Sequence, residues 1–153
     1  MKPKSLKIFD YPHRIPEIYG TFIAVGLILY FFIAYAGGFL HIIEFRLLNL
    51  VIMGVGIYMS LKQFKRTHAG ELDYFRALTI GVSSAFIGTS TFVLVLFLYL
   101  KIDGSLMRSI IENEPMGVYL NSYIATFAVW FEGIFSGFIM TFILINYLTS
   151  QKE

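Results

Sequence analysis

One carboxylate stands alone inside a long apolar stretch of this sequence, in the segment AVWFEGIFSG. Between Glu114 and Glu153, the only acidic residue is Glu132. A charged side chain in hydrocarbon costs about 3 kcal/mol, so carboxylates there face protein or water and commonly bind protons or cations. Two interpretations stay open. Glu132 is either a proton- or cation-coupling site, or a structural partner of Arg46 or of hydroxyl groups on a neighbouring helix.

Helical periodicity predicts a polar stripe that contains Glu132. At about 100° per residue, five residues fall within one narrow strip of the helix surface, and we expect that strip to face other helices and not lipid. Counting from Tyr147 at about 1.5 Å per residue places Glu132 about 22 Å from the inner interface, in the outer third of the hydrocarbon layer. The five residues of this polar stripe are Asn121, Ala125, Glu132, Ser136 and Asn146.

The elements that must position these residues are long uncharged runs. Hydrophobic residues make up 57% of the chain and charged residues only 14%, well below the usual quarter. Crossing a hydrocarbon layer takes about 20 helical residues, and several uncharged intervals reach that length. We predict an all-α integral membrane bundle of four transmembrane helices in a single domain, residues 1–153. The helices are expected at roughly 17–39, 42–64, 74–100 and 120–148.

The second span is too short unless it includes charged residues. Its uncharged part runs only from Leu47 to Leu61, which is less than the length that crosses alone. The helix must therefore begin near Ile42 and carry Glu44 and Arg46 in its first turns. The candidate intramembrane polar or coupling residues are thus Glu132, Ser136, Arg46, Glu44 and Asn146.

The positive residues indicate an orientation, because Lys and Arg accumulate in cytoplasmic segments. Of the 12 Lys and Arg residues, all but three lie in the N-terminal tail, after the second span or at the C-terminus. The opposite connections hold Arg46, Lys101 and Arg108. We expect both termini in the cytoplasm of a bacterial cell, with the chain in its cytoplasmic (inner) membrane. A cleaved signal peptide ending at Ala36 is disfavoured because the first apolar region exceeds the usual length of about 7–15 residues.

Small residues predict where the helices approach one another. In lipid, close packing replaces the hydrophobic effect as the drive for association. The expected packing positions are Gly133 and Gly137 on the fourth span and Gly81, Ser84 and Gly88 on the third. Packing within the bundle and a dedicated dimer face both fit this pattern. Before the fourth span, SLMRSIIENEP has apolar residues at helical spacing and predicts a short amphipathic helix at the surface.

The middle of the chain reads GIYMSLKQFKRTHAGELDYFRALTIG from Gly56 to Gly81, and EGIFSG follows from Glu132 to Gly137. Together these segments resemble the bacterial family called domain of unknown function 4199, whose members are small proteins of about four hydrophobic helices. The resemblance implies the same architecture. It implies no catalytic residue, because the family has no established activity.

The sequence offers few groups for catalysis. It has no Cys, its three His residues are far apart, and it lacks a phosphate-binding glycine loop and the HExxH and GxSxG motifs. We therefore predict no enzymatic activity, no cofactor and no metal site. The net charge of +2 gives no indication of nucleic-acid binding.

Two functions fit this composition. The first is non-enzymatic association in the membrane, as an accessory subunit, a scaffold or a homo-oligomer. Its partners would be the lipid bilayer and either a second copy of the chain or another membrane protein. The alternative is a small oligomeric transporter or ion pathway that uses Glu132 as its coupling carboxylate.

Overall fold

A computed structural model describes residues 14–38, 43–67, 73–113 and 116–150, and only the backbone of residues 43–46. All secondary structure in these residues is helical, with no strand among them. The helices are α1 (Ile15–Ala36), α2 (Ile43–Thr67), α3 (Tyr74–Ile102), α4 (Gly104–Asn113) and α5 (Ser122–Ser150), and a 3-10 turn covers Gly117–Tyr119. We call the end of the bundle at which α3 finishes and α5 begins the outer end.

Four of these helices are long and apolar enough to cross a membrane, which confirms the all-helical prediction with four candidate spans. They are α1, α2 from Leu47 onward, α3 and α5. Their bounds shift slightly from the expected ones: α1 begins at residue 15 and not 17, whereas α3 begins at the expected residue 74. The short helix α4 occupies the segment for which an amphipathic surface helix is predicted, and it buries Leu106.

Local signals explain where the helices begin and end. Pro16 lies in the first turn of α1, where its missing N–H leaves no hydrogen bond unmade. Asp73 precedes α3 and accepts hydrogen bonds from the backbone N–H groups of Phe75 and Arg76, at 3.2 and 3.4 Å. Gly38, with a φ of 72°, lies just past α1 in the left-handed region that glycine adopts without strain.

Large apolar side chains cover the outside of the bundle as well as its inside. Phe22 is 59% exposed, Leu94 64% and Phe131 61%, and each belongs to a different span. Soluble monomers rarely expose contiguous apolar patches of more than a few hundred Å². This surface therefore suits a surrounding of hydrocarbon and not of water.

The central helix is α3, which contacts each of the other four helices. Towards α1 it presents Ser84 and Gly88, and the two backbones lie very close there. A Cβ added at Gly20 would lie 3.0 Å from the Ser84 carbonyl oxygen, and one added at Gly88 would lie 3.0 Å from the Gly20 carbonyl oxygen. Only hydrogen fits at these two positions without separating the helices.

Towards α5, α3 presents a second row of small residues at one-turn spacing. The three contacting pairs are Gly81 with Thr141, Ala85 with Gly137, and Thr89 with Gly133. Residue numbers rise along α3 as they fall along α5, so the two helices run antiparallel. The predicted packing positions thus serve two different neighbours, because Gly81, Gly133 and Gly137 lie between α3 and α5, whereas Ser84 and Gly88 lie against α1.

We expect the substitution Gly137→Ala to destabilise the bundle and Gly54→Ala to have little effect. A Cβ at Gly137 would lie 2.5 Å from the Cβ of Ala85, so the helices must separate, which typically costs about 1–3 kcal/mol. At Gly54 the nearest atoms, at 3.4 Å, are the end of the flexible Met140 side chain. Unfolding by SDS from mixed micelles, followed by far-UV circular dichroism, measures both variants. Equal loss of stability in the two would contradict this packing.

Candidate functional site

The polar stripe of α5 lies on the outside of the bundle and not against the other helices of the chain. Glu132, Asn121 and Asn146 are exposed, while Ser136 and Ala125 are half-buried. The expectation that this stripe faces other helices is therefore wrong for the single chain. Two of these residues also bond locally: Asn121 Oδ1 accepts from the backbone of Tyr123 and Ile124, and Asn146 Nδ2 donates to the Phe142 carbonyl.

The reason is that α5 is oriented by its small residues. Gly137 and Thr141 are fully covered because they let α5 approach α3 closely. At about 100° per residue, the centre of the polar stripe lies about 140° around α5 from the row formed by Gly133, Gly137 and Thr141. Close packing through that row necessarily turns Glu132 outward.

The position of Glu132 in the outer third of the hydrocarbon layer stays a prediction, and in the structure this residue lies level with the middle of α3. Its neighbour Gly133 packs against Thr89, which is one residue beyond the midpoint of the 29-residue helix α3. On the other side of Glu132, Trp130 Nε1 donates a hydrogen bond to Ser90 Oγ at 3.0 Å. Both contacts place Glu132 close to the middle of α3, where hydrocarbon is the expected surrounding.

The expected partnership between Glu132 and Arg46 stays a prediction, because the side chains of Glu44 and Arg46 lie outside the described residues. The backbone is compatible with it. Met53 on α2 is level with Gly137 on α5, with its Sδ 3.1 Å from a Cβ added there. Seven residues, or about two helical turns, toward the outer end lead from Met53 to position 46 on α2 and from Gly137 to Trp130 on α5. Position 46 is therefore at about the same level as Trp130, which is two residues from Glu132 in the sequence.

A buried polar layer lies at the same depth, and sequence reasoning missed it. Asn49 Oδ1 and Thr89 Oγ1 are the two buried side-chain atoms without a hydrogen-bond partner among the described residues. One layer of the bundle contains Ala85 of α3, Gly137 of α5 and Met53 of α2, which are in contact. One helical turn closer to the outer end, the same three helices carry Thr89, Gly133 and Asn49. The signal for it was the isolated Asn49 within the apolar run that begins at Leu47.

At the outer end, Asp103 connects three elements. It ends α3, and its carboxylate accepts a hydrogen bond from the Tyr35 hydroxyl of α1 at 2.6 Å. The backbone N–H groups of Ser105 and Leu106, in the first turn of α4, donate at 3.0 and 3.4 Å. The hydrogen bond from the Ser105 hydroxyl, and then that from Tyr35, hold the pKa of Asp103 at about 2, below its ordinary value of 3.8.

Two open grooves lie between α3 and α5 on the outside of the bundle, and both are lined by Trp130. Neither groove is lined by Glu132, Ser136 or Asn146. No group of three or more His, Cys, Asp and Glu residues in the described part of the chain is arranged to hold a metal ion.

Comparisons of this chain with family models, with curated proteins and with solved structures give no match. The functional inferences below accordingly rest on the residues and contacts described above.

We expect α4 to loosen in acid because its N-terminal cap is ionised. A carboxylate with a lowered pKa stabilises the fold fully above its ordinary pKa, and this contribution is lost as the pH falls through about 2. Hydrogen exchange of residues 104–113, corrected for intrinsic rates, should therefore rise between pH 5 and pH 2. In an Asp103→Ala variant the exchange should already be fast at pH 5 and change little in acid. The same pH response in both proteins would rule out this role for the Asp103 cap.

Proposed function

We propose that this chain is a non-enzymatic, multi-pass protein of the bacterial cytoplasmic membrane that acts by helix association. Both termini lie in the cytoplasm, and the associating surface is the polar stripe of α5. The protein serves as an accessory subunit, a scaffold or a homo-oligomer. The observation that supports this function is the exposure of Glu132 on α5, level with the middle of α3, since both helices are long and apolar enough to cross a membrane.

An exposed carboxylate at that depth needs a polar surrounding. Left in lipid, it costs about 3 kcal/mol even on the lenient insertion scales. The same face of α5 also exposes amides about three and four turns away, at Asn121 and Asn146. Polar side chains on the exposed face of a transmembrane helix are best covered by another protein surface that hydrogen-bonds to them.

The burial of α5 supports the same conclusion. In its most apolar 18-residue window only 17% of the residues are buried, against 39% for α1 and 33% for α2 and for α3. The helix packs on α3 through a narrow row of small residues and also contacts α2, and most of its surface stays uncovered. Among the four spans, α5 therefore has the most surface to offer to a partner.

A second copy of the chain can satisfy the polar stripe by symmetry. When two copies in the same orientation are related by a two-fold axis, identical residues on the axis meet at equal depth. Amide and hydroxyl groups both donate and accept hydrogen bonds, so Asn146 and Ser136 can each pair with their own copies. The same symmetry brings the two Glu132 side chains to one depth.

The basic end of the bundle supports the proposed orientation. Lys62, Lys65 and Arg66 close α2 at the same end at which α5 finishes, and Lys65 Nζ donates to the Leu148 carbonyl at 2.9 Å. Lys and Arg favour the cytoplasmic side. Arg14 precedes α1 at this end too, which supports a cytoplasmic position for both termini. The resemblance to the family called domain of unknown function 4199 agrees with this architecture and adds no residue role.

Disulfide cross-linking tests the association directly, because the natural chain contains no Cys. We expect Ser136→Cys, on the polar stripe, to form a disulfide-linked dimer in membranes when an oxidant is added. Leu29→Cys is the matched control, since Leu29 is 59% exposed but lies on α1. Adding Glu132→Leu should lower the Ser136→Cys yield several-fold, whereas Glu132→Gln should largely keep it.

A product of higher mass that contains another protein would assign the accessory or scaffold form of this function. Equal yields at Ser136→Cys and Leu29→Cys, or no product from Ser136→Cys with any protein, would contradict association through the polar stripe.

The depth of Glu132 favours a second candidate function, an ion pathway formed between copies of the chain. Carboxylates inside membranes commonly relay protons or cations. Neither of the two grooves between α3 and α5 is lined by Glu132, so such a pathway would be formed at an interface in which two or more α5 helices enclose it. This candidate function depends on the same polar stripe as the first one. It differs from the first because protons or cations would pass through the interface.

Proton flux into proteoliposomes separates the two functions. For a pathway, wild-type protein should raise the proton permeability above that of empty vesicles, and Glu132→Gln should abolish the increase while keeping the cross-linked dimer. For pure association, the permeability should equal that of empty vesicles. Flux that persists in Glu132→Gln would exclude Glu132 as the coupling group.

A further inference from the structure

The two grooves between α3 and α5 share Trp130 as a lining residue, and together we call them the α3–α5 groove. Its outer stretch has a volume of about 320 Å³ and its inner stretch about 400 Å³. Phe97, Tyr123 and Phe127 line the outer stretch, and Phe86 and Phe135 line the inner one. An open, aromatic and aliphatic groove along a membrane-exposed helix pair suits a chain-like apolar guest.

Two polar side chains inside the outer stretch, those of Trp130 and Thr126, donate to groups within the protein. Trp130 Nε1 donates to Ser90 Oγ at 3.0 Å, and Thr126 Oγ1 donates to the Ser122 carbonyl. A ligand deep in this stretch therefore meets the faces of Trp130 and its neighbours and gains little from polar groups of its own. The deep part of the groove therefore favours a hydrocarbon chain over a polar ligand.

The outer mouth of the groove is different, because a cation stands over it. Lys101 Nζ lies 4.2 Å from the centre of the Tyr123 ring and 5.6 Å from that of Phe97. Both rings line the groove, so the cation–π contacts fix the ammonium group at its mouth. Lys101 is exposed, and the carboxylate closest to it in sequence, Asp103, is bonded to Tyr35 on α1 and to Ser105.

An apolar trough with a fixed cation at one end matches a lipid with a negative headgroup. We propose that the outer stretch of the α3–α5 groove binds an anionic phospholipid, with its acyl chain against Trp130 and its phosphate on Lys101. The ammonium group neutralises the phosphate at headgroup level, as basic residues beside transmembrane helices do for anionic lipids. The rings of Tyr123 and Phe97 hold the ammonium group in place before lipid arrives.

Binding at this groove is compatible with association through the polar stripe. The groove-lining residues of α5 are centred about 150° around the helix from the polar stripe, on its opposite side. A partner on the stripe therefore leaves the groove open to lipid. The inference uses the membrane location in the proposed function but not the association.

The test uses the fluorescence of Trp130, the single tryptophan of the chain. The wild-type protein is reconstituted into phosphatidylcholine vesicles that contain increasing fractions of brominated phosphatidylglycerol or brominated phosphatidylcholine, since bromine on the acyl chain quenches tryptophan on contact. We expect the relative binding constant for the anionic lipid to be about fivefold higher, which is the effect of one Lys near an anionic surface.

Lys101→Gln should lower that ratio to about one while quenching by both lipids persists, because the acyl chain still fits. Lys62→Gln is the matched control: Lys62 also lies over an aromatic ring, Tyr58 at 5.6 Å, but at the opposite end of the bundle, so the ratio should stay about fivefold. Tyr123→Leu, which removes the nearer ring under Lys101, should give an intermediate ratio and provides a second variant if Lys101→Gln does not fold.

A wild-type ratio near one, or an unchanged ratio in Lys101→Gln, would overturn the anionic-lipid site. Absence of quenching by either lipid would overturn it too. Flotation with the vesicles then distinguishes two explanations for the absence of quenching. If the protein floats with the vesicles, it is in the bilayer and its groove is covered by another chain. If it does not float, it is not in the bilayer, and the proposed function is contradicted as well.

Discussion

The structure depends on one constraint, namely that long uncharged stretches of chain must satisfy their own backbone hydrogen bonds. Hydrocarbon offers no donors or acceptors, so a segment that crosses it has to be helical or part of a closed barrel. In this chain, α1, α3 and α5 and the greater part of α2 meet that requirement, and the polar connections fall at the helix ends. The apolar outer surface, with residues such as Phe22 and Leu94, follows from the same constraint.

Once hydrocarbon is the solvent, hydrophobicity no longer holds the helices together, and packing has to. Close packing is possible in this chain because α3 presents small residues on two of its faces. Ser84 and Gly88 admit α1, and the row from Gly81 to Thr89 admits α5. Because the second contact is narrow, α5 is the least covered span. The exposed carboxylate of Glu132 and the outward-facing groove are thus both consequences of how α5 is attached to α3.

Much of the fold could be predicted from the sequence because its main signals are local. The uncharged runs gave the four spans to within a few residues, and the spacing of apolar residues around Leu106 gave α4. The narrow polar stripe around Glu132 was also a correct reading of helical periodicity. Within the single chain the expected direction of the stripe was wrong, because periodicity fixes which residues share a face but not which face packs. That choice is made by the fit of Gly137 to Ala85, which involves residues far apart in sequence.

The same limitation explains what sequence reasoning missed. The layer of Asn49 and Thr89 and the cation at Lys101 over Tyr123 depend on the register between helices, which no single segment contains. The most direct test of the membrane account is labelling of single-cysteine variants by a membrane-impermeant maleimide in intact bacterial cells. Ser109→Cys, on exposed α4, should react from outside, and Ser150→Cys, at the end of α5, should react only after permeabilisation. Equal labelling of both from outside, or recovery of the protein in the soluble fraction, would contradict it.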